Sequence, residues 1–93
     1  EWQGRDFGSD VSMFIVRASA AGYGPALHRH PTAETIVIRS GSAVFRIAEE
    51  ETVLSGGQIL VVPAGAPHKF TTLGPYEATA ILAADHIITE WLE

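Results

Sequence analysis

Turn-forming residues interrupt this chain at roughly 8–12-residue intervals, and the runs between them are short, apolar and β-branched. Such spacing leaves no room for long helices and points to many short antiparallel strands, as in a sandwich or barrel. The first run, Val11 to Val16, has little helical period and reads as a strand buried on both sides or packed against a neighbour. Ala18 to Pro25 then breaks it, with Gly22 and Gly24 supplying turn freedom. Glu34 to Arg39 is the next strand, ended by Ser40-Gly41. Ala43 to Ala48 alternates, with Phe45 and Ile47 on one face and Val44 and Arg46 on the other. Glu49-Glu50-Glu51 reads as a solvated acidic turn, followed by a strand at Thr52 to Leu54 and a turn at Ser55-Gly56-Gly57. Gln58 to Val62 is stopped by Pro63 and Gly65, His68 to Thr72 is extended, and Glu77 to Ala83 is a last long strand despite its alanines. The apolar ending Ile87 to Leu92 fits a strand or a short helix. It needs cover, from the sheet or from a second subunit.

Against this background one polar stretch stands out, His28-Arg29-His30-Pro31-Thr32-Ala33-Glu34. On extended backbone, side chains two apart share a face, so His28 and His30 converge, and Glu34 returns to that face if the bend at Pro31 keeps register. Imidazole and carboxylate at this spacing suit a divalent transition metal. His68, in the next Pro/Gly-rich stretch, is the natural fourth ligand.

Composition narrows the possibilities. Ninety-three residues make a single domain, 1–93, burying roughly 60–65% of its unfolded surface, so a metal or a partner chain would help stabilise it. The absence of cysteine excludes disulfides, thiolate ligands and a thiol nucleophile, and a cytoplasmic location is the plain expectation. A net charge of −5 with no Lys/Arg cluster argues against nucleic acid and anionic membranes. No apolar run reaches the length of a membrane helix, and the first residues lack the pattern of a signal peptide.

Taken together, the residues resemble those of a small single-domain cupin. Gly22, His28, His30, Glu34 and Gly41 match the first cupin motif at every gap, and Gly57, Pro63, Gly65 and His68 match the second. Thr72 stands where that motif has Asn, which puts local strand-end geometry in question rather than the metal. The resemblance runs from about Gly22 to Thr72. It implies an all-β, antiparallel jelly-roll β-barrel in which His28, His30, Glu34 and His68 hold one divalent metal: Fe, Mn, Ni, Co, Cu or Zn. It also implies free coordination positions for a small molecule, and hence a dioxygenase-like oxidoreductase acting on an enolic or phenolic compound. In that reaction Glu34 would serve as general base.

Two other readings are a metal-dependent sugar-type isomerase or epimerase and a non-catalytic sensor or carrier. The first is disfavoured by the scarcity of Lys and Arg to grip anionic groups. Ile36, Ile38, Phe45 and Phe70 are expected either to line a pocket or simply to fill the core. His86 belongs to no motif and reads as a surface or hydrogen-bonded histidine. A homodimer is expected, with Val11 to Val16 and Trp91-Leu92 as its apolar material.

Overall fold

The computed structural model describes residues 1–93. A short 3-10 turn at Gly4–Asp6 precedes nine strands: β1 (Ser12–Ala18), β2 (His28–Arg29), β3 (Glu34–Ser40), β4 (Ser42–Ile47), β5 (Glu50–Ser55), β6 (Ile59–Val62), β7 (His68–Thr72), β8 (Tyr76–Leu82) and β9 (Glu90–Trp91). They form two antiparallel sheets, one ordered β1-β8-β3-β6 and the other β5-β4-β7-β2-β9. No ladder joins the two sheets, so the hydrogen bonding does not close into a barrel.

Period-2 alternation explains which residues face inward. Glu34, Ile36 and Ile38 of β3 and Tyr76, Ala78, Ala80 and Leu82 of β8 are all buried, whereas the odd-numbered residues between them are only half-buried. From the second sheet Ala43 and Phe45 meet this face, and Phe45, at 1% exposure, is the largest fully buried side chain. Its ring lies 5.4 Å from Phe70, which lies 5.8 Å from Tyr76, so an aromatic row ties the two sheets together.

Of the two readings of the first run, packing against a neighbour holds: β1 lies at the edge of its sheet, paired with β8 and bridged to Trp2 at Met13, and its Ile15 is 63% exposed. Other local expectations are corrected. The acidic run is not all turn, since Glu50 and Glu51 already belong to β5. Ile47 pairs with Glu50, which leaves Ala48 and Glu49 as the loop. A two-residue hairpin needs positive φ, and Ala48 supplies it at 52°, held by its N–H donating to the Pro67 carbonyl at 2.8 Å.

Gly24 proves to be a close-approach residue rather than a source of turn freedom, because a Cβ there would sit 1.7 Å from the Phe70 carbonyl oxygen. Thr72, in the place of the motif's Asn, secures the same loop. Its hydroxyl donates to the Ala20 carbonyl at 2.8 Å and accepts from the Tyr23 N–H at 3.0 Å, which fixes the approach to the histidine pair. The ambiguous C-terminal run is extended, and its Glu90–Trp91 strand pairs with β2.

Candidate metal centre

His28 and His68 are directly opposed in the β2-β7 ladder, which brings their ring centroids to 4.2 Å. His30 lies just beyond the end of β2, and there the chain leaves the five-stranded sheet, turns at Pro31 and enters β3 of the other sheet at Glu34. The expectation that a continuous register aligns His28, His30 and Glu34 is therefore replaced by a different geometry: Glu34 faces the imidazoles from the opposite sheet. All four side chains are buried, at 7% exposure or less. Each imidazole offers a nitrogen within 4.8 Å of the other two. Glu34 stands against two of them, 3.2 Å from His68 Nε2 and 3.6 Å from His30 Nε2.

Hydrogen bonding sets the tautomers. Nδ1 of His28 donates to the Ala26 carbonyl at 2.7 Å, that of His30 to Ile88 at 2.9 Å and that of His68 to Ala66 at 2.9 Å. With its proton on Nδ1, each neutral ring presents a bare Nε2 lone pair, the form in which histidine binds metals. The Nε2 atoms of His30 and His68 are buried and have no hydrogen-bond partner. The 3.2 Å approach of His68 to Glu34 is then a meeting of two acceptors, which is favourable only with a cation or a proton between them. An orphaned buried acceptor costs about 1–3 kcal/mol. Two such nitrogens beside a third imidazole, that of His28, fit a divalent metal, and the three histidines could hold one.

The electrostatics agree with a shared gap. Burial is the largest influence on His68 and lowers its pKa, but Glu34 and the Ala66 carbonyl outweigh it, and the net shift is upward. His28 is pushed down, first by burial and then by the neighbouring histidines, even though the Ala26 carbonyl and Glu34 pull the other way. A proton on His68 Nε2 would occupy the place a metal would take.

A cavity of about 240 Å³ opens from this cluster. Its walls are mostly apolar and include Phe14, Val16, Ile36, Phe70, Ala78 and Ala80, with no Lys or Arg. Of the four residues considered as pocket lining, Ile36 and Phe70 reach it, while Ile38 and Phe45 fill the core. His86 stays apart from the cluster, partly exposed and 2.7 Å from Asp85.

Residues of the site that motif spacing did not reveal are Tyr76, Thr89 and Trp91, which also line the cavity, and the Ile88 carbonyl that orients His30. Trp91 lies 5.1 Å from the His28 ring, centroid to centroid. The segment carrying it is held down by the paired Arg29–Glu90 contacts at 2.8 and 2.9 Å and by Leu92 N–H donating to the Leu27 carbonyl. Only the inward alternation of β8 could have flagged Tyr76 from the sequence.

Two facing antiparallel sheets with a buried, metal-competent histidine cluster between them define a double-stranded β-helix protein of the metal-binding kind. The chain belongs to the cupins: the cupin domain family model matches residues 14–83. Among solved structures it is similar to a double-stranded β-helix protein of Klebsiella pneumoniae, with TM-score 0.79 and 23% identity over 88% of this chain and 70% of that one. It is also similar to oxalate decarboxylase of Bacillus subtilis, with TM-score 0.86 and 22% identity over 97% of this chain and 26% of that one. A third similar structure is a variant of salicylate 1,2-dioxygenase from Pseudoaminobacter salicylatoxidans, with TM-score 0.78 and 17% identity over 87% of this chain and 25% of that one. This chain thus spans about a quarter of each of those two enzymes. No curated protein sequence matches it. No helix is long and apolar enough to cross a membrane.

Proposed function

We infer that this cupin holds one divalent transition metal through His28, His30, Glu34 and His68, inside what is in effect a jelly-roll barrel, and oxidises or cleaves a small enolic or phenolic compound with oxygen. The observation that supports this reading most is the set of bare, buried imidazole nitrogens turned toward a carboxylate. A bound metal would supply Lewis acidity and redox capacity. The chain's own part is to hold the rings in one tautomer, to keep water away with apolar walls and to accept a proton at Glu34.

The cavity favours this substrate class over a phosphorylated or polyanionic sugar. Its walls carry no Lys or Arg side chain to pair with extra negative charge, and its volume lies just below the usual range for ligand sites. One structural neighbour is named as a dioxygenase of salicylate, a phenolic acid, and another is described as having Mn(II) centres, so both chemistries occur on this fold. Loading the protein with Fe(II) or Mn(II) and adding flavonols or 1,2- and 1,3-diketones should give oxygen uptake above that of free metal. Lack of uptake with every combination overturns the reading. A compound retained without product, seen by mass spectrometry, would make the protein a carrier or sensor.

The functional unit in this reading is a homodimer. The outer face of the four-stranded sheet carries Met13, Ile81 and Val61 on one row and Ile15, Val37 and Ile59 on the next, with Ile15, Ile59 and Val61 more than half exposed. That face, more than the C-terminal strand, has the material for pairing. In sedimentation at micromolar concentration the chain should run at twice its 10.0 kDa mass, and Ile59→Asp should return it to a single chain. A monomeric mass for the unmodified protein refutes the dimer.

A further inference from the structure

Tyr76 begins β8 on its inward face, three inward positions along the strand from Leu82, which pairs with Glu34. It is 2% exposed, it lines the same cavity as the histidine cluster, and its hydroxyl has no hydrogen-bond partner. The cluster and Tyr76 are therefore two polar points of one mostly apolar chamber, with Ile36, Ala78 and Ala80 on the walls between them and Glu1 and Thr89 as its other polar lining. The alanines matter here, because larger side chains at those positions would fill the space between the two points.

We propose that the Tyr76 hydroxyl is a specificity-determining contact, donating a hydrogen bond to an acceptor oxygen on the end of a small ligand remote from the cation. The inference rests on the ligand-binding reading above and narrows it: the preferred compound is flat and largely apolar, with a chelating oxygen pair at one end and a further acceptor at the other. A phenol that finds no partner inside the protein is left for a ligand to satisfy, and a ligand that offers an acceptor is favoured over one that does not. Burial pushes the phenol up to about 12, so it remains an O–H donor across the neutral range.

The test uses Mn(II)-loaded protein, catechol and 4-nitrocatechol as probes, and the variant Tyr76→Phe, which keeps the ring and removes only the hydroxyl. Both probes offer the same oxygen pair, and only the second has an acceptor opposite it. The variant should bind the same amount of manganese, should be at least as heat-stable without ligand, and should leave catechol affinity unchanged. Its affinity for 4-nitrocatechol should fall about tenfold, the change expected for one lost hydrogen bond. Equal loss for both probes, or loss for neither, overturns the tyrosine's role while leaving the metal site intact. A fall in the heat stability of ligand-free Tyr76→Phe also overturns it, since the hydroxyl would then have an internal partner such as a buried water. If the loaded wild-type protein binds neither probe, the substrate-class reading fails and takes this contact with it; if manganese itself does not bind, the ligand set fails first.

Discussion

Stripping the metal from the loaded protein should lower its thermal midpoint by about 10–20 °C. A ligand present at a hundred times its dissociation constant stabilises the folded state by about 2.7 kcal/mol. A domain of this size loses roughly 4–8 °C per kcal/mol. The physical origin is the cluster of His30, His68 and Glu34, whose lone pairs face one another. Replacing His68 by Ala should abolish stoichiometric metal, measured by elemental analysis, and bring the midpoint close to that of the chelated wild-type protein. Stoichiometric metal retained in that variant would mean that the ligand set is wrong.

Acid should mimic chelation. Metal binding requires neutral rings, so occupancy falls as pH falls. His68 is raised above the ordinary 6.5 and His28 is lowered beneath it. In the metal-free protein the first proton should therefore be taken up at His68, and His28 should take one only in more acid solution. Following the imidazole resonances of the metal-free protein against pH by NMR reads this order directly. His28 titrating before His68 would contradict it.

The second large effect is expected in the core. Phe45→Ala should cost about 3–5 kcal/mol, because the ring is enclosed between the sheets and packs on Phe70, and its loss leaves a void that neighbouring strands cannot collapse into. Against a total of about 5–14 kcal/mol for a chain of this length, that is at least about a fifth of the stability. Val53→Ala, on an exposed position of β5, should stay within about 0.5 kcal/mol and serves as the control. Denaturant midpoints for the two variants should differ accordingly, and near-equal midpoints would show that Phe45 is not central to the core.

Much of this was legible in the chain because its signals are local. Alternation along Ile36 and Ile38, the stops at Gly41, Gly57, Pro63 and Gly65, and the β-branched runs between them each specify a strand or a turn through nearby residues alone. The four residues of the cluster were legible through fixed motif gaps. Strand ends were less so: β5 begins at Glu50, inside a run of charges that reads as a turn, because its carboxylates point to solvent along an edge strand where alternation costs nothing. Trp91 and the C-terminal strand were ambiguous because a two-residue strand has no period of its own and exists only by pairing with β2.

The sequence by itself determined the all-β class, the turn positions and which ionisable side chains belong together, since each depends on residue type and spacing over a few positions. Only the tertiary structure decided how they meet. Glu34 faces the histidines across the gap between two sheets, His30 is oriented by a carbonyl near the far end of the chain, and Tyr76 is left with an unpartnered hydroxyl in the same cavity. Those relations come from packing between residues remote in sequence, and no local period encodes the distance between two facing sheets.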